Sequence, residues 1–403
     1  MKRIILLIDG TWNTEAANGN TNVAKLDSAA KIFAQALIKG QAADGVEQIV
    51  HYHSGVGVDN DLIVKVLGGA VGFGLKKIIK EVYEFLVSTY DSGDEIYIVG
   101  FSRGSYAARA LAGLIGASGI QRKIDDAIFE IAWAHYRVNP ASRLQPQKAG
   151  STDAKTVASY KLAVAGQAFH ATRVIKCVGV WDTVGSYGIP AGFGFAALAR
   201  YLTLFTLGFH DTSFGEHIEF GLHAVGVDEH RRPFVPTFWT IPIGQEPKGH
   251  VEQTWFAGAH CNVGGGYPDG GLSDLAMIWM IARLQALTPL EFDGQSVVAN
   301  TKPNVSGAAV DSTVGWPLDH LLPHYRKVLS PVAIAHGYFF NTENHQEEHI
   351  NERVHWSVIE KRGQLKMNAG SVSYAPPNLP PAIPPEKLAA VTNEERSLLA
   401  GRC

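Results

Sequence analysis

The side chains best placed to do chemistry in this sequence begin with a serine, in the pentapeptide Gly100-Phe101-Ser102-Arg103-Gly104. The pentapeptide follows an apolar run at 96–99 and precedes a stretch of small residues typical of a helix. A serine on such a strand-to-helix corner holds its hydroxyl clear of the backbone, and the flanking glycines leave room for the turn. The pattern predicts a nucleophile elbow, with Ser102 as nucleophile and Gly100 and Gly104 as elbow glycines. A purely structural turn is the alternative.

A carboxylate and an imidazole downstream of Ser102 complete a candidate catalytic set. In hydrolases built on such an elbow, the chain order is nucleophile, acid, histidine. Asp182 ends the apolar run VIKCVGVWD, and His260 follows another apolar run and precedes three glycines. Asp182 is therefore the candidate acid and His260 the candidate general base. The simpler interpretations are a turn aspartate and an ordinary loop histidine.

Other histidines compete for the role of general base. His355, in RVHWSV, is late in the chain and flanked by a tryptophan, which makes it the main competitor. His230 lies among charged residues in VDEHRRPF, which is typical of a surface or gate position. His51 and His53 lie on a strand-like stretch before Ser102, which is the wrong order for this kind of hydrolase.

Amide donors for an oxyanion are expected from two places. One is the backbone N–H of Arg103, directly after the nucleophile; the other is the loop in IDGTWN, where Thr11 and Trp12 are the candidates. Asp9 in the same loop is expected to order it by hydrogen bonds, and its other possible roles are a metal ligand or an alternative to Asp182 as the acid. Nothing in the sequence demands a metal or a cofactor, since it has neither a CxxC pair nor a GxxxxGK[ST] loop.

Alternating strand-like and helical segments must position these side chains. Five near-continuous apolar segments predict buried strands, at 3–10, 47–56, 94–100, 172–185 and 252–260. Apolar residues at three- and four-residue steps predict helices at 22–39, 67–90, 105–119 and 272–287, the last capped by Ser273 or Asp274. Apolar strands separated by helices predict an α/β-hydrolase-like, doubly wound, mostly parallel sheet with helical insertions.

Composition favours a globular protein with an ample core. Of the 403 residues, 46% are hydrophobic and 18% are charged, and we expect a single domain over 1–403. The net charge of −3 offers no basic surplus for nucleic acid. Three widely spaced cysteines, Cys177, Cys261 and Cys403, argue against a disulfide framework. The apolar run before Asp9 is too short for a signal peptide, so we expect a cytoplasmic protein or one exported by a dedicated machine.

Two regions are expected to lie outside the regular sheet. An apolar stretch at 189–209 contains Pro190 and Arg200, which weigh against the alternative of a transmembrane helix. Because it follows Asp182 closely, we expect a lid or cap insertion at 186–222. Beyond residue 293 the periodicity weakens and prolines accumulate, which predicts an irregular C-terminal extension, 293–403, packed on the domain.

With these residues in place, the chain resembles a known family. This is the α/β-hydrolase domain of many uncharacterised bacterial and fungal proteins and of the first family of type VI secretion phospholipase effectors. The resemblance implies a Ser-Asp-His hydrolase that uses Ser102, Asp182 and His260. Asn262 departs from the family's usual aspartate, and His230 stands in a run usually rich in arginine. The matching segments are LLIDGTWN, GGAVGFGLKKIIKEVYEFLVSTYDSGDEIYIVGFSRGSYAARALAGLIG, VGVWDTVGSYGIP, FHDTSF, LHAVGVDEHRRPFVPTFW, WFAGAHCNVGGGYPDGGLSDLAMIWM and VHWSV.

Motifs and resemblance together predict a serine esterase that cleaves lipid or phospholipid acyl esters through an acyl-enzyme intermediate. The expected partners are an ester or phospholipid substrate and a membrane surface, with no nucleic acid. The resemblance adds an immunity or delivery protein. The alternative is a non-catalytic binding or scaffold member of the same fold, which would not react with a fluorophosphonate probe at Ser102.

Overall fold

Seven parallel strands form the central sheet, β1 (Arg3–Ile8), β2 (Gln48–His53), β3 (Glu95–Phe101), β4 (Ile175–Trp181), β5 (Ile218–Gly226), β7 (His250–Phe256) and β9 (Glu352–Val354). Their order across the sheet is β2-β1-β3-β4-β5-β7-β9. Two short strands, β6 (Thr240–Pro242) and β8 (Glu347–His349), pair separately and antiparallel. The computed structural model describes residues 1–10, 21–27, 37–55, 71–144, 150–171, 174–184, 214–242, 245–247, 249–329, 347–364 and 373–402.

Twelve α-helices are found in these ranges. They are α1 (Asn22–Leu26), α2 (Val71–Thr89), α3 (Arg103–Ser118), α4 (Asp126–Tyr136), α5 (Pro140–Leu144), α6 (Thr152–Ala165), α7 (His260–Gly264), α8 (Gly271–Leu287), α9 (Gly294–Asn300), α10 (Pro317–Leu321), α11 (Trp356–Lys361) and α12 (Asn393–Leu399). Within the same described ranges, no helix has the length and apolar character needed to cross a bilayer.

The central strands are apolar along their whole length because the sheet is covered on both faces. All six residues of β1 are buried, as are six of the seven residues of β3. One apolar cluster joins the sheet to α2, α3 and α4, and a second joins its other face to α8. Burial on both faces is what turns parallel strands into continuous apolar runs. The prediction of an α/β-hydrolase-like, doubly wound parallel sheet is confirmed.

The chain reverses its direction of winding between β1 and β3. From β1 it moves outward to the edge strand β2, and it then returns to add β3 and the later strands on the other side. The carboxyl ends of β1 and β3 lie at this switch point, which is where open α/β sheets bind their ligands. Ser102 follows β3 there, and Asp9 and Gly10 follow β1.

Several elements differ from their predicted form. The helix predicted at 272–287 begins one residue earlier, at Gly271, with Gly270 rather than Ser273 or Asp274 as its N-cap. Asp274 instead lies within the first turn, where it pairs with Lys25 at 2.5 Å. The helix predicted at 22–39 ends at Leu26 as α1, and residues 28–36 lie outside the described part of the chain.

The two regions predicted to lie outside the sheet contribute strands to it. Most of the predicted lid, 186–222, lies outside the described residues, but its last residues belong to β5. The remainder of the lid stays a prediction. The C-terminal region, 293–403, contains α9–α12 and the edge strand β9, so regular elements are present where irregular structure was expected.

Candidate active site

Ser102 occupies a sharp corner between β3 and α3. Its backbone has φ 58° and ψ −121°, a conformation that costs a non-glycine residue about 1–3 kcal/mol. The corner is held because the Ser102 N–H donates to the carbonyl of Trp181 at 3.1 Å. Although Ser102 is the N-cap of α3, its hydroxyl makes no capping hydrogen bond. The hydroxyl is therefore left for another partner.

Two glycines allow this corner to pack against its neighbours. A β-carbon at Gly100 would lie 2.6 Å from the carbonyl oxygen of Gly104. A β-carbon at Gly104 would collide with the carbonyl oxygen of Ile8 and lie 2.5 Å from that of Asp9. Both positions predicted as elbow glycines are thus places where the structure has no space for a side chain.

The structure brings Ser102, His260 and Asp182 into one hydrogen-bonded line. His260 Nε2 lies 2.8 Å from Ser102 Oγ, and His260 Nδ1 lies 2.6 Å from Asp182 Oδ2. A carboxylate can only accept, so Nδ1 carries the proton and Nε2 accepts from the serine hydroxyl. This arrangement can remove the proton from Ser102 as its oxygen attacks an electrophile.

Asp182 is fully buried at the end of β4, yet it is ionised. Burial alone would raise the pKa of Asp182, but the charge of Arg326 and hydrogen bonds from His260 and Arg326 hold that pKa well below its usual range. Gly226 N–H donates to Oδ1 at 3.0 Å. The backbone of Asp182 has φ 40°, and its N–H donates to Ala224 O at 2.7 Å. The carboxylate therefore points at His260 from a fixed backbone position.

His260 is fixed at the start of α7 by aromatic rings and by a carboxylate. The ring centroids of Phe101 and Phe234 lie 4.7 Å and 5.0 Å from that of the imidazole. The backbone N–H of His260 donates to Glu229 Oε2 at 3.3 Å. Only 4% of His260 is exposed, and only 8% of Ser102. The imidazole is thus packed on several sides rather than held by a mobile loop.

Asn262 ties the histidine helix to the C-terminal part of the chain. Its side-chain oxygen accepts from the N–H groups of Ala259 and Val310, and its amide donates to Ala308 O at 2.9 Å. An aspartate, the residue usual in the resembling family, would accept the first two bonds but cannot donate the third. The departure at this position therefore changes a contact between segments.

Glu229 is a buried group that the sequence patterns did not single out. Burial would raise the pKa of Glu229, but a hydrogen bond from Arg231 and its positive charge hold that pKa below its usual value. Ser312 Oγ also donates to Glu229 at 2.8 Å, and the Arg231 guanidinium lies 3.7 Å from the centroid of Phe234. Glu229 thus links the His260 backbone to Arg231 on its own segment and to Ser312 in the C-terminal region. Its neighbour His230 instead packs its ring on Tyr325.

His355, the main rival base, belongs to a separate buried cluster. Its Nδ1 lies 2.7 Å from Ser357 Oγ, and its Nε2 lies 2.9 Å from Glu395 Oε1. At most 2% of any of these three residues is exposed. His355 also caps α11 by accepting from the Ser357 N–H. The cluster connects α11, which carries Ser357, to α12, which carries Glu395. Because all three side chains are enclosed, the cluster has no room for a substrate.

The remaining rival histidines lie on β2. His51 stacks its ring on Phe85 at 3.9 Å, and burial lowers the pKa of His51. His53 accepts from the Gly55 N–H and lies 2.9 Å from Glu81. Neither ring has a contact with Ser102.

The loop after β1 lies beside the nucleophile. A β-carbon at Gly10 would come within 3.3 Å of Ser102 Cβ, so the backbone there packs directly on the serine. Thr11 and Trp12, the predicted donors of this loop, lie outside the described residues. The Asp9 carboxylate accepts hydrogen bonds from Gly10 N–H, Thr21 Oγ1 and Tyr52 OH at 2.6–2.9 Å. This is the geometry of a residue that orders its own loop.

Arg103 opens α3, so its N–H is among the amides at the start of a helix that have no intrahelical partner. Its guanidinium is partly buried, and burial lowers the pKa of Arg103 to about 10. No hydrogen bond or ion pair of this guanidinium is found in the part of the chain that the structure describes. Within the same part, no three His, Cys, Asp or Glu side chains converge as a metal site would require.

A family model matches most of this chain. Residues 2–283 match the family model described as the catalytic domain of Tle1-like phospholipase effectors of the type VI secretion system. The chain belongs to this family. The predicted resemblance is thereby confirmed, and the Tle1-like match includes Ser102, Asp182 and His260. It ends before Ser312 and Arg326, two residues whose side chains reach Glu229 and Asp182.

Individual proteins similar to this Tle1-like domain have sequence identities below 30%. An uncharacterized protein of Saccharomyces cerevisiae, YEL023C, is 29% identical over 264 residues, which cover 61% of this chain and 34% of that protein. The chain therefore spans about a third of the length of this curated relative. A solved structure of an uncharacterized Pseudomonas aeruginosa protein is 20% identical, with a TM-score of 0.37 and coverage of 72% and 46%. The Tle1 effector bound to the VgrG spike is 18% identical, with a TM-score of 0.29 and coverage of 66% and 52%.

Proposed function

We propose that this chain is a serine hydrolase that cleaves the acyl ester bonds of phospholipids through a covalent acyl-enzyme. Ser102 is the nucleophile, His260 the general base and acid, and Asp182 the group that orients the imidazole. The observation that carries the proposal is the continuous line from Ser102 Oγ through His260 to Asp182, with separations of 2.8 and 2.6 Å. These distances are within the range expected of a nucleophile and its base.

The first half of the reaction forms the acyl-enzyme. Ser102 Oγ attacks the carbonyl carbon of the ester while its proton passes to His260 Nε2, and the carbonyl oxygen becomes an oxyanion. When this intermediate collapses, the bond to the alcohol breaks, and Nε2 gives the proton to the departing oxygen. Asp182 stabilises the imidazolium between these two transfers.

The second half returns the enzyme to its starting state. A water molecule gives a proton to His260 Nε2 and attacks the acyl carbon, and the second oxyanion collapses with release of the carboxylic acid. Ser102 Oγ recovers its proton from Nε2. Both oxyanions need amide donors, for which we propose the Arg103 N–H at the start of α3 and an N–H of Thr11 or Trp12.

Two observations favour a phospholipid over a neutral ester. The first is membership of a family of phospholipase effectors. The second is Arg103, whose partly buried guanidinium follows the nucleophile directly and makes no ion pair with the described residues. An arginine pairs well with phosphate because its planar fork can donate two parallel hydrogen bonds. We therefore propose that the Arg103 guanidinium binds the phosphate of the lipid headgroup.

Arg103→Gln should reduce hydrolysis of phospholipids by about 10- to 100-fold and spare a short neutral ester, because one charge-assisted hydrogen bond is worth about 1.5–3 kcal/mol. The measurement is kcat/KM for a diacyl phospholipid in mixed micelles and for p-nitrophenyl butyrate. Arg103→Lys, which keeps the charge, should recover part of the loss. Equal losses on both substrates would refute the phosphate contact.

Labelling with a fluorophosphonate tests the proposed chemistry and separates it from a non-catalytic binding role. The wild-type protein should form one adduct per chain, located by peptide mass spectrometry at Ser102, and His260→Ala should label far more slowly. A panel of phospholipid vesicles then identifies the acyl position by the fatty acid released. A folded wild-type protein that forms no adduct would favour the scaffold alternative.

Delivery by type VI secretion is part of the same proposal and is supported by the family description. The solved Tle1 effector is bound to a VgrG spike, so a spike protein is the partner to test first. Co-purification of the chain with a VgrG spike protein should give a stable complex. An immunity protein would be recognised by stoichiometric inhibition of ester hydrolysis.

A further inference from the structure

A single arginine from the C-terminal region encloses the carboxylate at the end of the catalytic line. Only 3% of Arg326 is exposed. Its Nη1 donates to Asp182 Oδ1 and to Gly226 O, both at 2.6 Å. Its Nη2 donates to Asp182 Oδ2 at 2.9 Å and to Phe234 O at 2.6 Å. The guanidinium thus donates hydrogen bonds to both carboxylate oxygens and to two backbone segments beside the site.

We propose that Arg326 is a positioning residue for the reaction, which holds Asp182 in the one orientation that reaches His260 and makes the C-terminal region part of the active site. The inference rests on the function proposed above. It adds a fourth member to the Ser-His-Asp line, from a part of the chain beyond the family match at 2–283.

The hydrogen-bond geometry explains how the carboxylate is held. Oδ2 accepts from His260 Nδ1 and Arg326 Nη2, and Oδ1 accepts from Gly226 N–H and Arg326 Nη1. Four donors occupy the carboxylate, so its rotation would break several bonds together. Bidentate pairing of an arginine with a carboxylate adds directional control to the attraction of the charges. Without Arg326, the carboxylate would retain one donor on each oxygen.

The complete burial of Asp182 makes its ion pair with Arg326 necessary. Asp182 has no exposed surface, and an unpaired charge in such a place would be strongly disfavoured. Phe234, whose carbonyl accepts from Arg326, also packs its ring against His260. The same guanidinium therefore fixes the Asp182 carboxylate and the segment that carries a wall of the imidazole pocket.

The charge of Arg326 also bears on the pH range of activity. Among the described residues, the other charged groups near His260 and Asp182 include Glu229, its partner Arg231, and Arg109 beside His223. His223, behind Asp182, is neutral because burial lowers the pKa of His223 to about 3. Removal of Arg326 would leave the imidazolium facing one cation fewer and Asp182 without its ion pair. Both changes favour the protonated forms of His260 and Asp182. As the pH is lowered, the variant should therefore lose activity at a higher pH than the wild-type protein does.

Arg326→Gln tests the proposal through a readout that a purely structural role would not move. With p-nitrophenyl butyrate, kcat should fall about 100-fold with little change in KM, as expected when a reacting group is misplaced by about 1 Å. The acid limb of the kcat/KM profile should move up by about 0.5–1 pH unit. Arg362→Gln is the matched control, because the Arg362 guanidinium donates to Pro380 and Pro381 carbonyls in the same C-terminal region.

Arg326→Lys separates charge from geometry and serves if the glutamine variant does not fold. Lysine keeps the positive charge but cannot donate in a fork, so the acid limb should stay in place while kcat falls about tenfold. Wild-type kcat in Arg326→Lys, or a folded Arg326→Gln with kcat within threefold of wild type and an unmoved limb, would overturn the proposal. Failure of the proposed function itself would look different, because the wild-type protein would then neither hydrolyse esters nor label at Ser102.

Discussion

Ser102→Ala is expected to lower kcat/KM for ester hydrolysis by about 10⁴-fold or more and to abolish fluorophosphonate labelling. The loss should be this large because the substitution removes the oxygen that forms the covalent bond. The measurement is initial rate under subsaturating p-nitrophenyl butyrate, together with intact-protein mass after exposure to the probe.

Ser118→Ala is the matched control for this prediction. Ser118 is buried at the opposite end of α3, where its Oγ donates to Ala132 O at 2.9 Å. Its replacement should cost about 1 kcal/mol of stability and leave both assays at the wild-type level. If Ser102→Ala kept more than a tenth of wild-type activity, the assignment of Ser102 as nucleophile would be wrong.

Gly104→Ala should be the most damaging single-methyl substitution near the site. The new methyl group would collide with the β1 carbonyl of Ile8, and backbone atoms cannot move aside as a flexible side chain would. We expect the free energy of unfolding to fall by about 3 kcal/mol, at the upper end of the cost of overpacking. Any protein that folds should have lost most activity, because Ser102 would be displaced from His260.

The free energy of unfolding in urea checks this prediction, with Gly40→Ala as its control. A β-carbon at Gly40 would meet no atom within 4 Å, so the same chemical change should alter stability by no more than about 0.5 kcal/mol. Equal stability of Gly104→Ala and Gly40→Ala would mean that α3 does not pack as closely on β1 as the structure has it.

Local patterns in the sequence were sufficient for the sheet and for the candidate residues at its strand ends. Buried parallel strands are continuous apolar runs, so β1, β3 and β4 were predictable from their composition. A nucleophile elbow combines a strand, two glycines and a helix within a few residues, which made Ser102 visible without tertiary information. Asp182 and His260 followed from chain order and from their positions after apolar runs.

Groups that depend on tertiary contacts were not predictable in this way. Arg326 lies in a segment without a motif. It is 144 residues from Asp182 in the sequence, and only the fold brings the two side chains into contact. Strand β9 has three residues, Glu352, Arg353 and Val354, so it carries no apolar run, and its pairing with β7 defines it. The sequence pattern does not predict strand β5, because the apolar stretch before it predicts an insertion that extends to residue 222.

The enclosed cluster of His355, Ser357 and Glu395 bears on how enzymes are recognised by the arrangement of a few side chains. A search template of hydroxyl, imidazole and carboxylate would match this protein twice, since both sets have separations below 3 Å. Only the set that contains Ser102 combines a strained corner with the unpaired amides of a helix start. On the proposal that Ser102 is the nucleophile, the second match is a decoy, and a search template should also require amide donors for the oxyanion.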